Sequence, residues 1–261
     1  MRKICILAGL LLLVLTYSCA ADDSPEKDKI PPAAPDLLEH LGDTGDDPIT
    51  IDGIEVILDD DNNGIDAVPD GKWIKVPWKK FVDNDLSHVK VYRYTVQNPE
   101  PLLIDTVPAS EDYYLDRSFL IEREWYYYYI ELYDASGNFS VSDTVSYALL
   151  AKSTLTSPEG GAAVNPNNLR LYWRIGDSQT TEFRILIWDE QTGELVYHTD
   201  YSYTPNDENP APPNVPFPVM TPAPVNGQVF RWRVDSFDYD SEHEMKMGSE
   251  SQERTFIIQY K

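Results

Sequence analysis

EWYYYYIELYDASGNFS, residues 124–140, decides the fold. Apolar or aromatic side chains recur at every second position through Tyr126, Tyr128, Ile130 and Leu132. That is the period of a strand with one face turned to a core. Asp134-Ala135-Ser136-Gly137-Asn138 breaks the run with turn-forming residues, and Phe139-Ser140 opens the next strand.

Working outward, the same short alternating runs recur. Upstream lie WIKVPW (73–78), HVKVYRYTV (88–96), LLIDTV (102–107) and YYLD (113–116), with FVDNDL (81–86) as a loop. Downstream, FSVSDTVSYALL (139–150) closes the set. LRLYWRI (169–175), EFRILIWDE (182–190), QVFRWRVDSFD (228–238) and RTFIIQY (254–260) then repeat the plan. A repeat of about 100 residues is a sandwich-sized unit. The expected architecture is all-β: two tandem β-sandwiches over 36–150 and 151–261, with no amphipathic helix of useful length. Residues 205–224 carry eight of the chain's 20 prolines. They read as a Pro-rich insertion, an extended edge or an overhanging loop, because proline cannot occupy a central strand.

Trp78 before an acidic loop, the Val89-Lys90-Val91-Tyr92-Arg93 strand, and Tyr126–Ile130 leading into Asp134–Ser140 together resemble a fibronectin type III domain, an immunoglobulin-like sandwich. The resemblance implies that a tyrosine early in the sixth strand bonds back to an upstream corner, and Tyr126 stands there. The second half resembles the family less closely, since it lacks the D-x-x-G-N turn.

The N-terminus carries a different signal. Met1-Arg2-Lys3 is followed by an apolar run from Ile4 to Leu15 and then by Thr16-Tyr17-Ser18-Cys19. The run is short of the roughly 20 residues that span a bilayer and reads as a secretory signal over 1–18. A small residue before Cys19 resembles the lipobox of bacterial lipoproteins, which implies cleavage before Cys19 and its acylation. Residues 19–35 read as a flexible tether. The acidic cluster after the cysteine resembles the export signal of some Bacteroidetes lipoproteins. The expected place is the bacterial outer membrane, facing the periplasm or the cell surface, held there by the N-terminal lipid.

Composition narrows the partners. The net charge is −23, so a phosphate backbone repels the chain and nucleic-acid binding is not expected. Cys5 and Cys19 are the only cysteines, so after cleavage stability rests on apolar burial without disulfides. The four histidines, His40, His88, His198 and His243, have no metal-ligand spacing, and no phosphate-binding glycine loop is present. The expectation is a non-enzymatic protein that binds a protein or polysaccharide partner, with a structural spacer as the alternative.

Three constellations are candidate sites. Asp59, Asp61 and Asn63, the Ile65 carbonyl and Asp70 follow the oxygen spacing of a calcium loop, with Gly64 at the sharp turn. Strands replace the flanking helices of an EF-hand, and Asp70 stands where a bidentate Glu is usual. Asp83, Asp85 and Asp134 lie on loops that share one end of a sandwich. Alternation also sends Tyr92, Tyr94, Tyr127 and Tyr129 to the outer face of two neighbouring strands, where four rings form a platform for a partner. The calcium reading predicts a higher melting temperature in calcium than in chelator, abolished by Asp61→Ala. Identical melting in both conditions removes it.

Overall fold

The computed structural model describes residues 28–38, 49–51, 54–56, 71–204 and 211–260. Every regular element among them is a strand except one 3-10 turn at Pro166–Asn168. The first elements are β1 (Ile49–Ile51) and β2 (Ile54–Val56), an antiparallel hairpin. The first sandwich follows: β3 (Ile74–Pro77), β4 (Leu86–Thr95), β5 (Leu102–Pro108), β6 (Tyr113–Asp116), β7 (Tyr126–Asp134), β8 (Phe139–Val141) and β9 (Val145–Tyr147).

One sheet pairs β3 with β6, and Leu37 adds a bridge beside Trp78. The facing sheet runs β5-β4-β7, with β8 and β9 in turn along the far edge of β7. The expected 139–150 strand therefore splits in two, as Ser142 turns aside and its hydroxyl accepts the Ile130 N–H. Burial alternates without a break along β7, from Tyr126 to Asp134. The inward set packs with Ile74, Val76, Trp78, Val89, Val91, Val145 and Tyr147. Each such side chain contributes about 1.5–3 kcal/mol on leaving water. Gly137 takes φ 85° in the turn after β7, a conformation that glycine adopts without strain.

Two polar ties lock this core. The Tyr126 hydroxyl accepts the Ile121 N–H at 2.7 Å, the corner that the family resemblance implied. Between the sheets, Asp116 is 1% exposed and accepts from Arg93 Nη1 at 2.5 Å, Tyr128 Oη at 2.8 Å and the Ser118 N–H at 3.0 Å. Burial, and then the Asp116 charge, push the Tyr128 phenol well above its ordinary value.

The second sandwich comprises β10 (Thr154–Ser157), β11 (Ala162–Val164), β12 (Arg170–Arg174), β13 (Glu182–Asp189), β14 (Leu195–Ser202), β15 (Asn214–Pro216), β16 (Val229–Asp240), β17 (Met245–Glu250) and β18 (Arg254–Ile258). A β10-β12-β15 sheet faces β11-β18-β16-β13-β14, and β17 doubles back on the far half of β16. Its core joins Leu171, Trp173, Phe183, Ile185, Ile187, Phe230, Trp232, Val234, Phe256 and Ile258.

Composition misleads at one place and tells only part of the story at another. Asp28–Pro35, read as tether, lies along the first sandwich: Pro32 and Pro35 are buried, Ser140 Oγ donates to the Pro32 carbonyl, and the Ala33 N–H donates to Asp83. The Pro-rich stretch is not simply an insertion. Its residues 214–216 form the edge strand β15, and Val215 and Phe217 enter the core. Pro216 and Pro218, which flank the buried Phe217, sit at an edge, where no ladder donor is needed.

Removing the shared acceptor should strand Arg93 and Tyr128 in the interior. Asp116→Ala is expected to cost about 3–5 kcal/mol in urea unfolding. A loss below about 1 kcal/mol would show that the network contributes little to stability.

Candidate functional site

The outer face of β4 and β7 is built as four rungs. The register sets His88 beside Tyr133, Lys90 beside Glu131, Tyr92 beside Tyr129 and Tyr94 beside Tyr127. Because the inward positions of both strands are committed to the core, alternation fixes these eight side chains outward. The structure thus brings all four tyrosines read from the sequence onto one face.

Their geometry differs from a flat platform. Tyr92 and Tyr129 stack with centroids 4.9 Å apart and planes 6° apart. Tyr94 and Tyr127 stack at 5.1 Å and 14°, and His88 and Tyr133 at 4.7 Å and 7°. Phe139 extends the last stack. Within each pair one π face is taken by the partner ring, so ring edges and hydroxyls take a larger share of what the surface offers. A polar chain links the rungs: Lys90 Nζ donates to Tyr133 Oη, and both Tyr133 and Tyr92 donate to Glu131 Oε2, at 2.8 and 3.0 Å. Burial, then the Glu131 hydrogen bond, push the Tyr92 phenol up to about 12, so it is a donor throughout the physiological range.

The acidic end loops converge in part. Carboxylate oxygens of Asp28, Asp85 and Asp134 lie within 4.8 Å of one another. Asp83 stands apart, occupied by the Ala33 N–H. Asp134 has a turn-forming task, accepting from the Asn138 backbone and side chain at 2.9 and 2.7 Å. Burial raises its carboxyl, but these bonds outweigh that and hold it below the usual range. Asp59, Asp61, Asn63, Ile65 and Asp70 lie outside the described residues, as does Cys19. Among the described residues no helix is long and apolar enough to cross a membrane.

A second constellation went unread in the sequence: the junction between the sandwiches. The β16–β17 hairpin reaches back to the first sandwich. There the Leu150 N–H donates to the Gly248 carbonyl at 2.9 Å, and the Gly248 N–H to Ala148 at 3.2 Å, a short parallel pairing. Trp125, Ala148, Leu150 and Met247 form a buried cluster there, with Tyr127 and Met245 packed against it. Trp125 Nε1 donates to Asp240 Oδ2 at 2.8 Å, and His243 Nδ1 meets the same oxygen at 2.8 Å.

Arg123 spans the same gap. Its guanidinium reaches Asp177 at 3.3 Å, Asp238 at 3.0 Å and Thr180 Oγ1 at 3.2 Å. Its own N–H donates to the Leu149 carbonyl at 2.7 Å, and its backbone is held at φ 63°. A left-handed non-glycine residue costs about 1–3 kcal/mol and persists where its surroundings over-determine it. Gly176 backs onto the linker so closely that a Cβ would sit 2.2 Å from the Ala151 carbonyl oxygen. The signal available beforehand was slight: Trp125 stands just outside the alternating tyrosine run, and Met245 and Met247 are apolar beside a hairpin tip.

No protein-family model matches the sequence, and comparison with curated proteins returns no match. Among solved structures, the FN1–FN3 domains of chicken CNTN1 align over 87% of this chain and 66% of theirs, at 12% identity and a TM-score of 0.34. A two-domain fibronectin type III segment of chicken tenascin aligns over 72% of this chain and 92% of its own, at 8% identity and 0.26. The fibronectin(III)-like modules of Clostridium thermocellum CbhA cover 77% of this chain and 92% of their own, at 16% identity and 0.25. Likenesses at this level carry no argument about partner or activity. The strand order itself is that of two fibronectin type III-like sandwiches.

The Trp125 indole chiefly, and then the backbone and His243, hold the Asp240 carboxyl down to about 2. A depressed carboxylate stabilises above its unfolded value of about 4, and that contribution fades as pH falls through the folded value. Trp125→Phe should therefore lower unfolding stability by about 1 kcal/mol above pH ~4. Its deficit should narrow as pH falls toward 2. A deficit that does not vary with pH would assign the effect to packing alone.

Proposed function

We propose that the chain is a non-catalytic, lipid-anchored envelope protein that binds a protein partner through the outer face of β4 and β7. The observation that supports this is the ladder of stacked ring pairs at Tyr92–Tyr129 and Tyr94–Tyr127 on a half-exposed sheet face. Stacking holds the rings in place before any partner arrives, so little rotamer entropy is lost on contact. Amphipathic tyrosines with oriented hydroxyls are characteristic anchors of protein interfaces. With one π face of each ring already taken by its partner, sugar stacking is the weaker use of this surface.

The anchor in this reading is Cys19, acylated after cleavage and placing the protein at the bacterial outer membrane. A spacer role is the second reading, and the clamp at Arg123 and Leu150–Gly248 favours it, because a held angle fixes distance.

The test uses the chain with Cys19→Ser, purified and applied to the envelope fraction of the cells that produce it. The expected result is retention that is lost when the envelope is first treated with protease, and lost in the Tyr92→Ala, Tyr127→Ala double variant. Retention that survives protease but not the tyrosine changes would assign the face to a glycan. Retention untouched by the tyrosine changes would remove the face from the function. Mass spectrometry of the membrane fraction should find an acylated N-terminal peptide beginning at Cys19, and an unmodified N-terminus overturns the anchor.

A further inference from the structure

The second sandwich carries a groove at the end remote from the junction. β13 runs from Glu182, beside Phe237, to Asp189, beside Phe230. Contacts with the first sandwich gather at the Glu182 end, at Thr180, Asp238 and Asp240. At the Asp189 end a cavity of about 490 Å³ opens between two edges. That lies within the roughly 300–1,000 Å³ of sites that hold ligands. Leu195, Val196 and Tyr197 of β14 form one wall, and the chain that continues from β15 through 218–224 forms the other.

Three features of these walls point to one occupant. The first is a bulge. Ile187 stands opposite Tyr197 and Trp188 opposite Leu195, so Val196 is an extra residue without a partner in the ladder. β14 is also an edge strand that pairs only with β13 among the described residues, and such an edge is a template for another extended chain. The second is the apolar lining. Val219 is 100% exposed and Val196 38%, and both share the groove with half-buried Leu195, Tyr197 and Met220.

The third is polarity. Pro218, Pro222 and Pro224 have no N–H, so their wall is short of donors and offers carbonyl acceptors. The charged groups of the lining are Asp189 and Glu194, and no lysine or arginine joins them among the described residues. Asp189 accepts the Gln191 and Thr192 N–H groups on Oδ1 and Gln228 Nε2 on Oδ2, the last at 2.6 Å. A carboxylate has about four acceptor sites, so room for a further donor remains. The Gln228 bond chiefly holds this carboxyl below the usual range, and it is charged at neutral pH. Glu194 follows Gly193, which turns the hairpin at φ 71°, and is exposed.

We propose that this groove binds an extended basic segment of a partner protein, laid along β14 as an added strand. The segment's backbone pairs with the open side of β14 at the bulge. An apolar side chain packs on Tyr197 and Met220, and a lysine or arginine reaches Asp189 and Glu194. An acidic segment would meet like charge there, which makes the groove selective as well as adhesive. This surface is separate from the tyrosine ladder and does not depend on the ladder's role.

The test is fluorescence anisotropy of labelled hexapeptides with the purified chain carrying Cys19→Ser. A peptide of alternating valine and lysine is expected to bind saturably, and one of alternating valine and glutamate is not. Glu194→Lys and Val219→Asp should each weaken the valine–lysine peptide by about tenfold or more. Both positions are exposed, so neither change should disturb folding. Glu100→Lys, an equal charge change at an exposed site on the first sandwich, should leave binding unchanged. Absence of saturable binding by the valine–lysine peptide would overturn the proposal. Equal binding of a glycine–lysine peptide, or an equal loss in Glu100→Lys, would reduce the effect to attraction by the net charge of −23 and overturn it as well. A dimer seen in sedimentation and broken by Val219→Asp would assign the groove to a second copy instead.

Discussion

The strict two-residue period of Tyr126–Asp134 is the constraint on which the first sandwich depends. A strand with core contacts on every second residue cannot slip by one position without turning its whole apolar set to water. Tyr128, Ile130 and Leu132 therefore fix the register, and the register alone decides that Tyr127, Tyr129 and Tyr133 stand opposite Tyr94, Tyr92 and His88. The outer tyrosine face is in this sense a by-product of core packing. The same commitment places Trp125, one residue before the strand, at the end that meets the second sandwich.

Much of this was legible in the sequence, because period-two alternation is a local signal. The strands of the first sandwich, four of those in the second and the outward direction of the four tyrosines follow from residues close together in the chain, the corner at Tyr126 follows from the family resemblance, and β10, β11, β14 and β17 went unread. What stayed hidden depends on contacts between distant residues. Arg123 meets Asp238, and Trp125 meets Asp240, across more than a hundred positions, and nothing in the neighbourhood of either residue announces the pairing. Composition left proline with two meanings. At Pro32 and Pro35 it marks an extended strip laid on a surface rather than a free tether, and at 213–218 it marks a sheet edge whose alternate residues are core.

The ring geometry was likewise beyond the sequence. Alternation tells which side of the sheet a tyrosine occupies and says nothing of its tilt. That tilt changes the chemistry offered: one π face of each ring is turned to its partner, while hydroxyls are ordered by Glu131 and Lys90 into a directional strip. A surface of that kind distinguishes partners by where their donors and acceptors fall, more than by how much apolar area they bring.

The strip laid down by Asp28–Leu38 also sets polarity. Asn138 holds the Asp28 carbonyl at the turn that follows β7, whereas the junction gathers at the opposite end of that strand, around Trp125. Nine residues of β7, at about 3.3 Å each, put roughly 30 Å between the two ends. Asp28 is therefore separated from the second sandwich by the full height of the first. The acidic turn and the second sandwich thus stand at opposite ends of the first sandwich, with the tyrosine ladder on the sheet face between them.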